Sequence, residues 1–188
     1  PFVSKTTGVN LMELAADATL GKSIPSGEAA ASRFCVKVPQ FSFMRLDGAD
    51  PVTGVEMVST GEVACFGNSF EDAFLKAFVA SGQNIPEKGD SILITVGGSK
   101  ERIVPIAKKF LMQHSHIYAT EHTAETLAKN GIECEVLHKV SEGKQPNIID
   151  YLVNCRIKLV ISLQGFEGSN TLKALDDGYL IRRKSVEF

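Results

Sequence analysis

The spacing of apolar residues in this 188-residue chain changes character near residue 85. Before that point, Leu11, Leu14, Ala15 and Ala18 recur at helical intervals behind Asn10, with Glu13 at the capping-box position and Gly21 as a stop. The run Phe34-Cys35-Val36-Lys37-Val38 reads as a strand that Pro39 should halt. A loop with two turn dipeptides, Asp47-Gly48 and Asp50-Pro51, leads to a second strand over 62–66. Ser69 then caps an amphipathic helix with Asp72 at the box position; Phe70, Phe74, Ala77 and Phe78 share one face, and Gly82 ends it.

Beyond a linker at 82–89, short apolar runs at 91–96, 116–120, 133–137 and 158–163 alternate with helical patterns at 100–114, 123–130, 147–155 and 171–176. Pro105 interrupts the first of these helical patterns and blurs its start. A separate helical segment is expected over 181–188. Strand and helix alternating at this spacing predict a parallel α/β sheet covered on both faces. With no strand after 188, the pattern reads as a fragment of a longer fold. There are no repeats and no low-complexity tract.

Composition narrows the function without naming it. A net charge of −2 with interspersed signs gives no nucleic-acid footprint. No apolar run approaches the ~20 residues that span a bilayer. The start, Pro1-Phe2-Val3-Ser4-Lys5, lacks the regions of a secretory signal. Cys35, Cys65, Cys134 and Cys155 show no C-x-x-C spacing, and reduced thiols in a cytoplasmic protein are the expectation. His114, His116, His122 and His138 are not spaced like a zinc helix motif. No Ser or Cys has an evident base beside it in sequence. No metal site and no catalytic residue are therefore assigned.

Open parallel sheets bind ligands outside the carboxyl ends of their strands. The polar residues at those ends are Gly97-Gly98-Ser99-Lys100, Thr120 with Thr123, His138-Lys139, and Ser162 with Gln164. Thr120 and Thr123 stand where a strand hands over to a helix, whose N-terminus offers unpaired N–H groups and partial positive charge. Hydroxyls and ammonium groups on one edge suit a phosphate or carboxylate. Each has an ordinary reading as well: Thr at a helix start is commonly an N-cap, and Lys after a strand is commonly solvated. Glu121, between the threonines, counts against an anion unless it points away.

These residues carry a family resemblance. The run Pro1-Phe2-Val3-Ser4-Lys5-Thr6-Thr7-Gly8-Val9 and the block running from Asp50-Pro51-Val52-Thr53-Gly54 to Gly61-Glu62-Val63 resemble the carbamoyl phosphate synthase large chain after its second ATP-binding site. Tyr118-Ala119-Thr120-Glu121-His122-Thr123-Ala124, His138-Lys139-Val140-Ser141-Glu142-Gly143 and Gly178-Tyr179-Leu180-Ile181-Arg182-Arg183 resemble its C-terminal regulatory domain. The resemblance implies a partial α+β tail of an ATP-grasp domain over 1–86. After it would come a Rossmann-like, methylglyoxal-synthase-like parallel sheet over 87–188, with a final strand beyond Phe188.

Such an enzyme joins bicarbonate and glutamine-derived ammonia with two ATP for pyrimidine and arginine synthesis. ATP and Mg²⁺ (or Mn²⁺) would be held upstream of Pro1, and ammonia would come from a glutaminase partner. The regulatory domain in bacterial relatives takes nucleotide monophosphates such as UMP or IMP. By motif, the phosphate falls on Lys100, Thr120, Thr123 and Lys139, and weaker contacts fall near Thr95, Ser162 and Gln164. Ser162 stands where nucleotide-binding relatives often have Asn, and Cys35 where some bacterial enzymes have an acid for ornithine. Two other readings are a structural or oligomerising domain with a degenerate site, and a methylglyoxal-synthase-type lyase. The lyase needs an Asp near Ser141-Glu142-Gly143-Lys144, and none stands there; Asp150 is farther on.

Overall fold

The computed structural model describes residues 2–27, 33–42, 51, 59–163 and 172–188, with 172–176 described by backbone. The described residues up to Gln40 and from Ser59 to Gln83 form one unit, and those from Asn84 onward form another.

The first unit contains α1 (Phe2–Thr7), α2 (Leu11–Thr19), β1 (Phe34–Gln40), β2 (Gly61–Gly67) and α3 (Phe70–Ala80). The expected cap of α2 forms: Asn10 Oδ1 accepts the Glu13 N–H at 3.3 Å while Asn10 Nδ2 donates to the Glu13 carboxylate at 3.2 Å. The strands pair antiparallel from Phe34 opposite Gly67 to Gln40 opposite Gly61. Contrary to expectation, β1 runs through Pro39, which pairs with Glu62. A two-stranded ribbon has only edge strands, where a missing N–H is tolerated.

Ser69 caps α3 as its spacing predicts, accepting the Asp72 N–H at 3.1 Å. The aromatic face, however, is not the buried one. Ala73 and Ala77 are buried, whereas Phe70 and Phe74 are 56% and 46% exposed and stack with Phe78 along the helix surface. The cause is the approach of α3 to the end of β2. A Cβ at Gly67 would lie 2.3 Å from the Ala73 nitrogen and 2.8 Å from its Cα. At that separation only the small face of the helix fits.

The second unit comprises β3 (Ser91–Val96), α4 (Val104–Met112), β4 (His116–Ala119), α5 (Glu121–Lys129), β5 (Glu135–Val136), α6 (Ile148–Val153), β6 (Leu159–Leu163) and α7 (Leu172–Glu187). Its sheet has the order β5-β4-β3-β6, and every pairing is parallel. The expected α/β sheet flanked by helices is what the structure shows. Ile92, Ile94 and Val96 pack with Ile103, Ala107, Ala124 and Leu127, covering one face with α4 and α5. Leu93 packs with Leu137, Ile148, Leu152 and Ile181, covering the other with α6 and α7.

Pro105 lies in the first turn of α4, where its absent N–H has no intrahelical acceptor to lose. The two helical segments expected after 171 are one, because α7 continues through Gly178. Glycine weakens a helix interior by only ~1 kcal/mol. Here the Arg182 guanidinium occupies the freed space, 3.1 Å from where a Gly178 Cβ would sit.

Gly67→Ala is expected to destabilise the first unit by roughly 3 kcal/mol, because the overlap is with backbone that cannot rotate away. Urea denaturation followed by circular dichroism measures it. An unchanged midpoint would mean that α3 sits farther from β2.

Candidate functional site

With all four strands parallel, their carboxyl ends share one edge, and register sets which residues are neighbours there. Thr95 pairs with Ser162 across β3 and β6, and Ile94 pairs with Ala119, which puts Thr120 at the next position beside Thr95. Ala119 pairs with Val136, so the chain leaves β5 toward His138 and Lys139 beside Thr120. The segment after β3 turns to the α4/α5 face, whereas α7 after β6 covers the opposite face. The reversal lies between β3 and β6, where Thr95 and Ser162 stand half-buried, and such a reversal opens a crevice.

Thr120 and Thr123 meet at this edge. Their hydroxyls are 3.2 Å apart, and Thr123 Oγ1 also accepts the Val96 N–H at 3.2 Å. Thr123 is fully buried and Thr120 is 6% exposed. Thr120 takes the N-cap position of α5, yet its side chain makes no cap bond. The simple N-cap reading therefore does not describe it. Its carbonyl accepts from Thr123 and Ala124, each at 2.8 Å. Among the described residues, nothing accepts from the N–H groups of Glu121 and His122. The N-terminus of α5 is left open, with its partial positive charge directed out of the helix. Glu121 itself is exposed.

The two lysines differ. Lys100 is half-buried after β3, and its ammonium donates to the Gly98 carbonyl of its own loop at 3.1 Å. The neighbouring Ser99 hydroxyl, at 2.6 Å, is the main cause holding the Glu101 carboxyl below its ordinary range. Lys139 is half-buried at the N-cap of a 3-10 turn, Val140–Glu142, and forms no ion pair among the described residues. The acid nearest to it in sequence, Glu142, is engaged by His138 at 3.0 Å. Gln164 lies outside the described residues.

Sequence reasoning missed two participants. One is the Val96 N–H, which uses the Thr123 hydroxyl. The other is Asp177, a buried acid on α7 that accepts from the Ser141 N–H at 3.2 Å and from its hydroxyl. Reading α7 as broken at Gly178 hid it; carrying the helical period through places Asp177 one turn before buried Ile181, on the same face. Asp150, the acid considered for a lyase, accepts from Gln145 and Asn147 at 3.1 and 2.7 Å within the cap of α6. No three His, Cys, Asp or Glu side chains converge on a possible metal position among the described residues. No described helix is long and apolar enough to cross a membrane.

Residues 102–188 match the family model of the MGS-like domain. The whole chain is 38% identical to the carbamoyl phosphate synthase large chain, C-terminal section, of Methanopyrus kandleri, covering 35% of that protein. It is 37% identical to the carbamoyl phosphate synthase large chain of Archaeoglobus fulgidus, covering 17% of it. It is also 37% identical to the multifunctional protein ura1 of Schizosaccharomyces pombe, of which it spans 9%.

Thr123→Val removes the acceptor of a buried N–H and is expected to lower the unfolding free energy by about 1–3 kcal/mol. Thr120→Val should cost less, since no N–H depends on its hydroxyl. Equilibrium denaturation of both variants checks the order, and equal losses would contradict the assigned hydrogen bond.

Proposed function

We propose, from the match of residues 102–188 to the MGS-like domain and the whole-chain similarity to the C-terminal section of carbamoyl phosphate synthase large chains, that the strand-end edge binds the phosphate of a regulatory ligand. The observation that carries this reading is the open N-terminus of α5, with the paired hydroxyls of Thr120 and Thr123 beside it and Lys139, without an ion pair among the described residues, at the next strand end. Backbone N–H groups, hydroxyls and an ammonium together make a phosphate site, and a charged acceptor strengthens each bond. Lys100 is the second cation, released from Gly98 when the anion arrives. A nucleotide monophosphate such as UMP or IMP is the proposed ligand, with sugar and base toward Thr95 and Ser162.

In this reading the chain regulates and does not catalyse. Carbamoyl phosphate would form from bicarbonate, glutamine-derived ammonia and two ATP elsewhere in a larger cytoplasmic protein, with a glutaminase as partner. The portion over 1–86 would be the tail of an ATP-grasp domain. Mg²⁺ or Mn²⁺ would be held with ATP elsewhere in that protein, since among the described residues no three His, Cys, Asp or Glu side chains converge. Ligand binding would change the neighbouring reaction by a coupling of about 1–3 kcal/mol. A structural domain with a degenerate site is the second reading, favoured by the burial of Thr123 and the prior use of its hydroxyl.

Calorimetric titration of the chain with UMP, IMP and N-acetylglutamate separates these readings. Binding of UMP or IMP that weakens about tenfold or more in Lys139→Ala supports the phosphate site. A folded chain that binds none of the ligands supports the structural reading. Turnover of dihydroxyacetone phosphate would instead make the chain a lyase.

A further inference from the structure

Asp177 is a buried carboxylate on α7, at 5% exposure, and the phosphate reading gives it no role. Both of its oxygens are taken by one residue 36 positions away: Oδ1 accepts the Ser141 N–H at 3.2 Å and Oδ2 the Ser141 hydroxyl at 2.5 Å. Ser141 is the middle residue of the 3-10 turn that Lys139 opens. That turn belongs to an excursion pinned at its base. His138 donates to the Pro146 carbonyl, and Ile148 to the His138 carbonyl, each at 2.9 Å. Beyond the base, His138 Nδ1 meets the Glu142 carboxylate at 3.0 Å at the end of the turn, and α7 holds its middle through Asp177. Lys139, Val140, Asp177 and Ile181 come together there.

We infer that Asp177 is a positioning residue for the anion site, acting through Ser141 to hold the turn that presents Lys139; the inference rests on the phosphate reading. Two physical reasons support it. A carboxylate packed beside a lysine competes with an incoming anion for the ammonium. With both oxygens satisfied by Ser141, Asp177 is kept from that role, and Lys139 stays unpaired among the described residues. Moreover, α7 anchors in the core through Ile181, packed with Leu93 of the central strand. The middle of the turn is thereby referred to the sheet through α7 as well as through its pinned base.

The test is a double-mutant cycle between Ser141 and Lys139, read as affinity of the chain for inorganic phosphate and for UMP. Ser141→Ala is expected to weaken binding roughly threefold to tenfold, the range for net loss of one ordinary hydrogen bond. In a Lys139→Ala background the same change should add nothing. Equal losses in both backgrounds would make the Ser141–Asp177 contact merely structural and overturn the inference. So would Lys139→Ala weakening binding while Ser141→Ala does not. Failure of the unaltered chain to bind either ligand overturns the phosphate reading, and this inference with it. Asp177→Asn, which keeps an acceptor but removes the charge, should lose less than Asp177→Ala. If either fails to fold, the Ser141 cycle decides, because it deletes one hydroxyl on a part-buried turn.

Discussion

A strand buried on both faces has no place for a polar side chain except at its ends, and that constraint organises the second unit. Ile92, Leu93 and Ile94 of β3 are all fully buried, two facing α4 and α5 and one facing α6 and α7. Hydrophobic burial of this central strand aligns β4 and β6 parallel to it and brings four carboxyl ends to one edge. Polar chemistry collects there because the core excludes it elsewhere. Thr95, Thr120 and Ser162 are the first polar positions beyond that apolar stretch.

The same edge shows how candidate binding groups become part of the fold. Thr123 ties α5 to the end of β3 through the Val96 N–H, so its hydroxyl stabilises the unit whether or not a ligand is present. Thr120, the less buried of the pair, shares that hydroxyl and stands nearer to solvent. A phosphate at this point would meet groups already oriented by packing, so little ordering cost falls on the binding step. Lys100 differs: its ammonium rests on a loop carbonyl and must exchange that partner.

The first unit obeys a different constraint, which is close approach. Gly67 and Ala73 bring α3 so near β2 that the phenyl rings of Phe70 and Phe74 are turned outward. Ordinary amphipathic reasoning gives the largest apolar side chains to the core. Here a short helix–strand distance selects the smallest ones, and the aromatic residues stack on one another at the surface.

Local order was written in the chain. The caps at Asn10 and Ser69, the strand–helix alternation after residue 90, and the placement of Thr120, Lys139 and Ser162 at strand ends all follow from neighbours within a few positions. Such features depend on backbone periodicity and short-range hydrogen bonds, which a sequence displays directly. Only the tertiary structure decided which face of α3 is buried, that Thr123 is committed to Val96, that α7 passes through Gly178, and that Asp177 is held by Ser141. Each of these pairs or packs groups brought together by the folding of separate segments, and distance along the chain carries no information about which distant donor a buried acceptor will meet.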